Sequence, residues 1–263
     1  MATRSEGGRA PPSHVAGWIA RCFLATIALC SIAWGMNCLP IFLDQTRLGA
    51  VTDLILRNVP LSDAELDALG PLLERAAERQ ECAPAIDRSS AIIRLRLAEN
   101  ALAPGRDGLL DTRLSELDRA VRKSLGCAPS DPYLWLVLFW LRNTREGYSQ
   151  SNLDLLRMSY RLGPNEAWIV TKRNHIALAM LDALPPDLSA EAIAEFSRLV
   201  KSELYTEAMA LLKGPGWSHR DRLMAGLSTV PQRNVDILIK AMADIGFDLD
   251  GRTLLERRSQ GRP

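Results

Sequence analysis

Residues 131–141 read Asp-Pro-Tyr-Leu-Trp-Leu-Val-Leu-Phe-Trp-Leu, and this stretch decides the fold class. Asp131 is a favoured N-cap residue and Pro132 suits the first helical position, so a helix is predicted to start here. Residues 133–141 are apolar on every side, and nine residues are too few to span a bilayer. The run predicts a core helix wrapped by other helices, with a ligand groove at its two tryptophans left as the alternative.

Helices are predicted on both sides of this run, because turn signals recur at short intervals without sustained period-two alternation. The first has a capping box at Ser62 and Glu65, with Leu61 and Leu66 at the hydrophobic staple positions. Further helices are predicted at about 71–80, 85–102, 113–125, 151–162, 165–184 and 188–204, and then at 206–212, 220–227 and 231–245. The predicted fold class is therefore all-α.

Two turns share one pattern. Residues 125–135 and 162–168 each contain a helix end, a glycine-containing turn, a capping residue and an early tryptophan. The tryptophans are 33 residues apart and the capping residues are 34 apart, these being Trp135 and Trp168, and Asp131 and Asn165. A period of about 34 residues built from two antiparallel helices is the tetratricopeptide signature.

The chain thus resembles tetratricopeptide-like helical repeats over residues 62–204. The usual small residues are only partly present, as Ala120 and Ala167, and Pro84 and Pro129 are 45 residues apart, so the first unit is divergent. The resemblance implies an α-α hairpin solenoid with a concave surface. Residues 234–245 are predicted to cap the stack.

A second resemblance rests on residues 162–169, Leu-Gly-Pro-Asn-Glu-Ala-Trp-Ile, followed by Arg173, Leu184 and the Leu-Ser-Ala-Glu run at 188–191. This pattern is similar to small membrane-anchored repeat proteins associated with bacterial exopolysaccharide or O-antigen production. The resemblance implies an accessory role and transfers no catalytic residue.

Residues 22–43 carry no charge and lie between Arg21 and Asp44. As a helix they reach roughly 33 Å, enough to cross a hydrocarbon core of about 30 Å. Before the run stand Arg4, Arg9 and Arg21 against Glu6, so the positive-inside rule predicts a cytoplasmic N-terminus and an exported remainder. A cleaved signal peptide, with small residues around Ser31-Ile32-Ala33, is the alternative, and it exports the same domain.

These observations predict six segments in a single-pass protein of the bacterial inner membrane whose C-terminal domain is periplasmic. They are a cytoplasmic tail (1–21), a transmembrane helix (22–43), a linker (44–60), a tetratricopeptide-like domain (61–204), capping helices (205–250) and a flexible tail (251–263).

Two of the five cysteines, Cys82 and Cys127, follow the apolar run. On the exported side they are predicted either to form a disulfide or to remain buried free thiols, and the sequence does not choose between these states. No histidine lies near either cysteine, and the spacing fits no zinc pattern, so no metal site is expected.

The balance of 32 Lys and Arg against 31 Asp and Glu gives a net charge of +1, which argues against a nucleic-acid partner. No nucleophile elbow, phosphate-binding glycine loop or HExxH motif occurs. His175 and His219 lack partners at a recognisable spacing and are interpreted as structural. No catalytic residue and no cofactor are therefore expected.

The leading hypothesis is a non-catalytic scaffold that binds a protein or peptide partner in the cell envelope. The candidate binding residues are Arg94, Arg142, Tyr148, Trp168 and Arg173. The second hypothesis is an accessory factor in envelope polysaccharide assembly, touching glycan through Trp168 and Trp217. The third is an enzyme with an unrecognised site, which a polar pocket joining His175 to a carboxylate would support.

Overall fold

A computed structural model describes residues 14–103 and 107–249. The chain divides into two compact units, residues 1–81 and 82–263. Within the described residues every regular element is a helix, as expected for an all-α chain. The predicted flexible tail at 251–263 and residues 1–13 of the predicted cytoplasmic tail lie outside the described residues.

The first unit begins with one long helix, α1 (His14–Leu56). It is followed by α2 (Asp63–Asp67) and α3 (Gly70–Glu78). Among the described helices, α1 is the one long and apolar enough to cross a membrane, with a mean hydropathy of 1.8 over its most apolar window. Its large apolar side chains between Trp18 and Leu43 are exposed, which suits a helix surrounded by lipid.

Residues 44–56, expected to belong to a linker, instead continue α1. Asp44 is 8% exposed, and its carboxylate pairs with the guanidinium groups of Arg75 at 3.1 Å and Arg79 at 3.8 Å. These ion pairs join α1 to α3. The helices α2 and α3 therefore belong to the first unit, although the predicted repeat domain began at residue 61.

The capping box that opens α2 forms as predicted. The Glu65 backbone N–H donates to Ser62 Oγ at 3.3 Å, and the Ser62 backbone N–H donates to Glu65 Oε2 at 2.7 Å. Leu66, at the staple position, is fully buried.

The second unit is a series of nine described helices. They are α4 (Pro84–Ala101), α5 (Asp107–Cys127), α6 (Pro132–Glu146), α7 (Leu153–Leu162), α8 (Ala167–Ala179), α9 (Pro186–Lys201), α10 (Tyr205–Lys213), α11 (Arg220–Ala225) and α12 (Gln232–Asp244). Consecutive helices pack in pairs, α4 with α5, α6 with α7 and α8 with α9. The first helices of the pairs also contact one another, α4 with α6, α6 with α8, and α8 with α10.

The helix α6 is the core helix that the sequence predicted. The Asp131 Oδ1 atom accepts from the backbone N–H groups of Tyr133 and Leu134, which caps its start. Eight of its residues are buried, and it packs on α4, α5, α7 and α8. Burial on all sides satisfies the apolar run at 133–141.

A disulfide ties the ends of the first pair together. Cys82, just before α4, is bonded to Cys127 at the end of α5, and their Cα atoms are 5.6 Å apart. The sequence left open a disulfide or two free thiols, and the structure has the disulfide. The neighbouring Asp87 is 2% exposed and lies 3.7 Å from Lys123 Nζ, a second tie between α4 and α5.

Two predicted boundaries differ. Asn165 is not the cap of α8, because Glu166 occupies the N-cap position and its side chain makes no capping hydrogen bond. The helix ends at Ala179, not near Leu184, and a 3-10 turn, Leu181–Ala183, follows.

At the end of the stack, α12 buries Val235, Leu238 and Met242 and exposes charged residues. This polarity fits a capping helix.

Candidate binding face

The helices α4, α6 and α8 bring their side chains together on one surface. This surface, the α4–α6–α8 face, carries Arg88, Arg96 and Glu99 of α4, Trp140 of α6, and Trp168, Lys172 and His175 of α8, with the buried Tyr133 of α6 against Trp168. Each of these helices is the first member of a pair, and the contacts of α4 with α6 and of α6 with α8 place the three side by side.

An aromatic and charged cluster lies at the start of α8. The Trp168 ring is 39% exposed, and its centroid is 5.0 Å from that of Tyr133. The Arg88 guanidinium lies over the Trp168 ring, 5.6 Å from its centroid, and Arg88 Nε donates to Asp131 Oδ2 at 2.7 Å. Trp168 Nε1 donates to Glu166 Oε2 at 3.1 Å. The indole is therefore held in one orientation by contacts from α4, from α6 and from the turn before α8.

Farther along the face, two opposite charges are partly withdrawn from water. Desolvation raises the pKa of Glu99, and the positive charges of Arg96 and Lys172 oppose this rise. The Glu99 side chain remains 44% exposed. Desolvation lowers the pKa of Lys172, opposed by Glu99. Burial, and then the Glu99 carboxylate, raise the pKa of Tyr133. Charged groups that are poorly hydrated gain more from a partner's polar groups than fully hydrated ones.

A cleft of about 310 Å³ lies between the second halves of α6 and α8. Its walls are formed by Phe139, Trp140, Asn143, Thr144, His175, Ile176, Ala179 and Met180. Asn143 Nδ2 donates to the Phe139 carbonyl at 2.7 Å, and Thr144 Oγ1 donates to the Trp140 carbonyl at 2.9 Å. Asn143 Oδ1 is buried and accepts no hydrogen bond, but most of the surface that the cleft presents is contributed by apolar atoms.

Arg173 and Arg94, two candidate binding residues, are interior residues. The Arg173 side chain is fully buried, donates to Glu195 Oε1 and to the carbonyls of Ser159 and Gly163, and lies 4.3 Å from the centroid of the Tyr160 ring. Arg94 is 5% exposed, and its Nη1 donates to Glu116 Oε2 at 2.9 Å, which links α4 to α5. Neither guanidinium reaches the surface, so neither side chain lies on the α4–α6–α8 face.

Arg142 and Tyr148 reach the surface without lining the cleft. Arg142 pairs with Glu146 one turn farther along α6. The Tyr148 hydroxyl donates to the Ala183 carbonyl and so connects two loops. Of the five candidate binding residues, Trp168 is the one placed on the α4–α6–α8 face.

Trp217 and His219 belong to a separate cluster near α11. The Trp217 ring meets Phe247 edge-on at 4.9 Å, and the Arg220 guanidinium lies 5.0 Å from its centroid. His219 Nδ1 is 3.7 Å from Asp182 Oδ1, which also pairs with Arg222 at 3.0 Å.

His175 lines the cleft between α6 and α8, and none of the described residues lining that cleft is acidic. The described walls of the cleft therefore offer a binding surface, and none of them places a carboxylate beside His175.

The sequence did not single out Ile176, Met180 or Lys172. Their apolar and basic spacing on α8 is also that of an ordinary helix packed into a core, and the gap between α6 and α8 arises only from tertiary packing.

Among the described residues, no group of three or more His, Cys, Asp or Glu side chains is placed to hold a metal ion. Comparison with protein-family models, curated proteins and solved structures finds no match to this chain.

Proposed function

We propose that this chain is a membrane-anchored helical-repeat scaffold whose α4–α6–α8 face binds a segment of a partner protein in the cell envelope. The observation that carries the proposal is the apolar cleft between α6 and α8. An aromatic and aliphatic cleft beside partly desolvated charges is typical of sites that take an apolar anchor residue from a peptide.

The repeat interpretation is supported by the order of helix contacts. Helices pair consecutively, and first helices contact first helices from α4 to α10. A stack of α-α hairpins in the tetratricopeptide manner has this arrangement, in which the first helices line one surface available to a partner. The short α7 and the long α5 depart from a regular repeat.

Export of the second unit is part of the proposal. Three arginines precede the apolar part of α1, and the Cys82–Cys127 disulfide suits an oxidising compartment such as the periplasm. The exposed apolar surface of α1 is suited to anchor the chain in the inner membrane.

Direct glycan binding is the weaker alternative. Trp168 and Trp217 each carry an arginine over the ring and a second aromatic ring beside it, so less of each indole is available to stack on a sugar. An accessory role in polysaccharide assembly would then act through a protein of that machinery, bound at the same face. Likewise, the absence of acidic residues among the described cleft walls favours a scaffold over an enzyme that uses His175.

Site-specific photo-crosslinking in intact cells tests the proposal. A benzophenone amino acid replaces Ile176 in the cleft, and in a control chain it replaces Asp154, whose side chain is 85% exposed on α7. We expect a discrete crosslinked protein from position 176 and none from position 154. Equal patterns from both positions, or no product from 176, would contradict the proposal.

A further inference from the structure

A second cleft, separate from the cleft between α6 and α8, lies between the start of α8 and the end of α9. Its volume is about 160 Å³. None of the described residues lining it is acidic, whereas Arg198 and Lys201 both line it. Two basic side chains therefore line this cleft, although the chain as a whole is nearly neutral.

Arg198 has unused hydrogen-bonding capacity. Its Nη2 atom is 3.8 Å from Glu191 Oε2 and 3.9 Å from Glu195 Oε1, both longer than a hydrogen bond. Its Nε and Nη2 atoms are buried and donate to no acceptor. Lys201 is exposed. The Arg198 side chain is 38% exposed overall, so an anion in the cleft would meet Arg198 and Lys201 from the solvent side, while the buried Nη2 atom stays beside Glu191 and Glu195.

The rest of the cleft is apolar. Val170, Leu199 and Leu204 line it, and most of its surface is contributed by apolar atoms. Asn165 and Ser202 add polar groups at the same cleft. A ligand that matches this surface carries its negative charge next to an aliphatic group. Inorganic phosphate would use the two cations but would leave the apolar walls uncovered.

We propose that this cleft binds an aliphatic carboxylate of about the size of a leucine residue. The carboxylate lies between Arg198 and Lys201, and the aliphatic group packs on Val170, Leu199 and Leu204. Such a group is either the C-terminal residue of a partner chain or a free branched-chain acid, and both have the same chemistry at the cleft.

Saturation-transfer NMR on the full chain in detergent micelles tests this proposal with N-acetyl-leucine, 4-methylvalerate and N-acetyl-leucinamide as probes. We expect saturable binding of the two acids and at least fivefold weaker binding of the amide. Tighter binding of N-acetyl-leucine identifies a chain terminus as the ligand, and tighter binding of 4-methylvalerate identifies a free acid. Equal binding of the amide, displacement by equimolar inorganic phosphate, or no saturable signal from any probe would overturn the proposal.

Lys201→Gln and Arg198→Gln are each expected to weaken N-acetyl-leucine binding at least fivefold. Lys201 is exposed, so its replacement leaves the fold intact and keeps the test decisive if Arg198→Gln is unstable next to buried Glu195. Lys213→Gln, an exposed lysine at the end of α10 outside the cleft, is the matched control and is expected to bind normally. Unchanged binding in Lys201→Gln would count against the site. Crosslinking at Ile176 reports on the other cleft, so the two proposals can fail independently.

Discussion

Arg173 and Glu195 form an ion pair in which both side chains have no exposed surface. The Arg173 guanidinium also donates to Ser159 Oγ and to two backbone carbonyls, so most of its donors are satisfied inside the protein. Burying either charge alone is costly, because the interior solvates it poorly. The pair thus joins α7, α8 and α9 at a point where single substitutions have large effects.

Replacing Arg173 with Met is expected to lower the free energy of unfolding by about 3–5 kcal/mol, because it leaves the buried Glu195 carboxylate without the side chain that donates to it. The double variant Arg173→Met with Glu195→Leu is expected to recover most of that loss. Urea unfolding of the full chain in detergent, followed by circular dichroism, measures both variants. A double variant no more stable than the single one would show that the pair's hydrogen bonds, and not the unpaired charge, dominate.

The unfolding free energy of Arg173→Met is expected to depend on pH. Burial raises the pKa of Glu195, and Arg173 opposes this shift, so removing Arg173 raises that pKa further. In the window above about pH 4.3, the ordinary Glu value, the folded variant then binds more protons than the unfolded chain, and its stability falls as pH rises. The stability lost in Arg173→Met should therefore be smaller at pH 5 than at pH 7.5. An equal loss at both pH values would contradict this sign.

Gly163 is constrained by a close approach to the start of α6. A Cβ atom there would lie 2.7 Å from Pro132 Cγ and 2.8 Å from Pro132 Cβ. We expect Gly163→Ala to lower the unfolding free energy by about 1–3 kcal/mol through overpacking. The control is Gly126→Ala within α5, where nothing lies within 4 Å of the new Cβ. The unfolding free energy of that control is expected to rise by about 0.5–1 kcal/mol, because alanine favours a helix more than glycine does.

Among the elements, α6 depends on one side chain at its start. Asp131 caps the helix through Oδ1 and holds Arg88 through Oδ2. Asp131→Ala removes both interactions, and we expect the capping loss alone to be about 0.5–2 kcal/mol. Asp131→Asn keeps a capping oxygen and loses the charge pair, so its unfolding free energy should fall between those of Asp131→Ala and wild type. Thermal unfolding by circular dichroism checks this order, and equal losses would exclude a capping contribution.

The boundaries of elements were predictable where local groups decide them. The box at Ser62 and Glu65 and the cap at Asp131 use groups within a few residues, so both could be identified from the sequence. The continuation of α1 through 44–56 was not predictable in this way. Asp44 looks like the first residue of a polar linker, and its burial depends on Arg75, 31 residues later. The early end of α8 has no comparable local signal.

At the scale of the whole molecule, the Cys82–Cys127 disulfide connects redox state to stability and topology. It closes a loop across 45 residues of sequence separation, and the chain-entropy model assigns such a loop about 4 kcal/mol. Cys22, Cys30 and Cys38 lie on α1 and are not disulfide-bonded. Replacing these three with alanine leaves Cys82 and Cys127 as the one pair of thiols that reports on the compartment of the second unit.

In intact cells, this three-alanine variant should react with a membrane-impermeant maleimide only after treatment with a membrane-impermeant reductant. The reason is that an exported disulfide blocks both thiols until it is reduced. A mass-shift assay on gels measures the reaction. Labelling without reductant would indicate free exported thiols, and labelling only after lysis would place the second unit in the cytosol.

Taken by itself, the sequence determined the all-α class, the apolar helix at 22–43, the core helix at 133–141 and the helix caps at Ser62 and Asp131, because each depends on neighbours within one or two helical turns. Tertiary structure alone decided which cations are buried and where clefts remain. Arg173 resembles any surface arginine until α9 places Glu195 against it, 22 residues farther along the chain. The clefts beside Ile176 and Arg198 are gaps between packed helices, and a gap depends on how distant segments approach, which no local pattern of residues encodes.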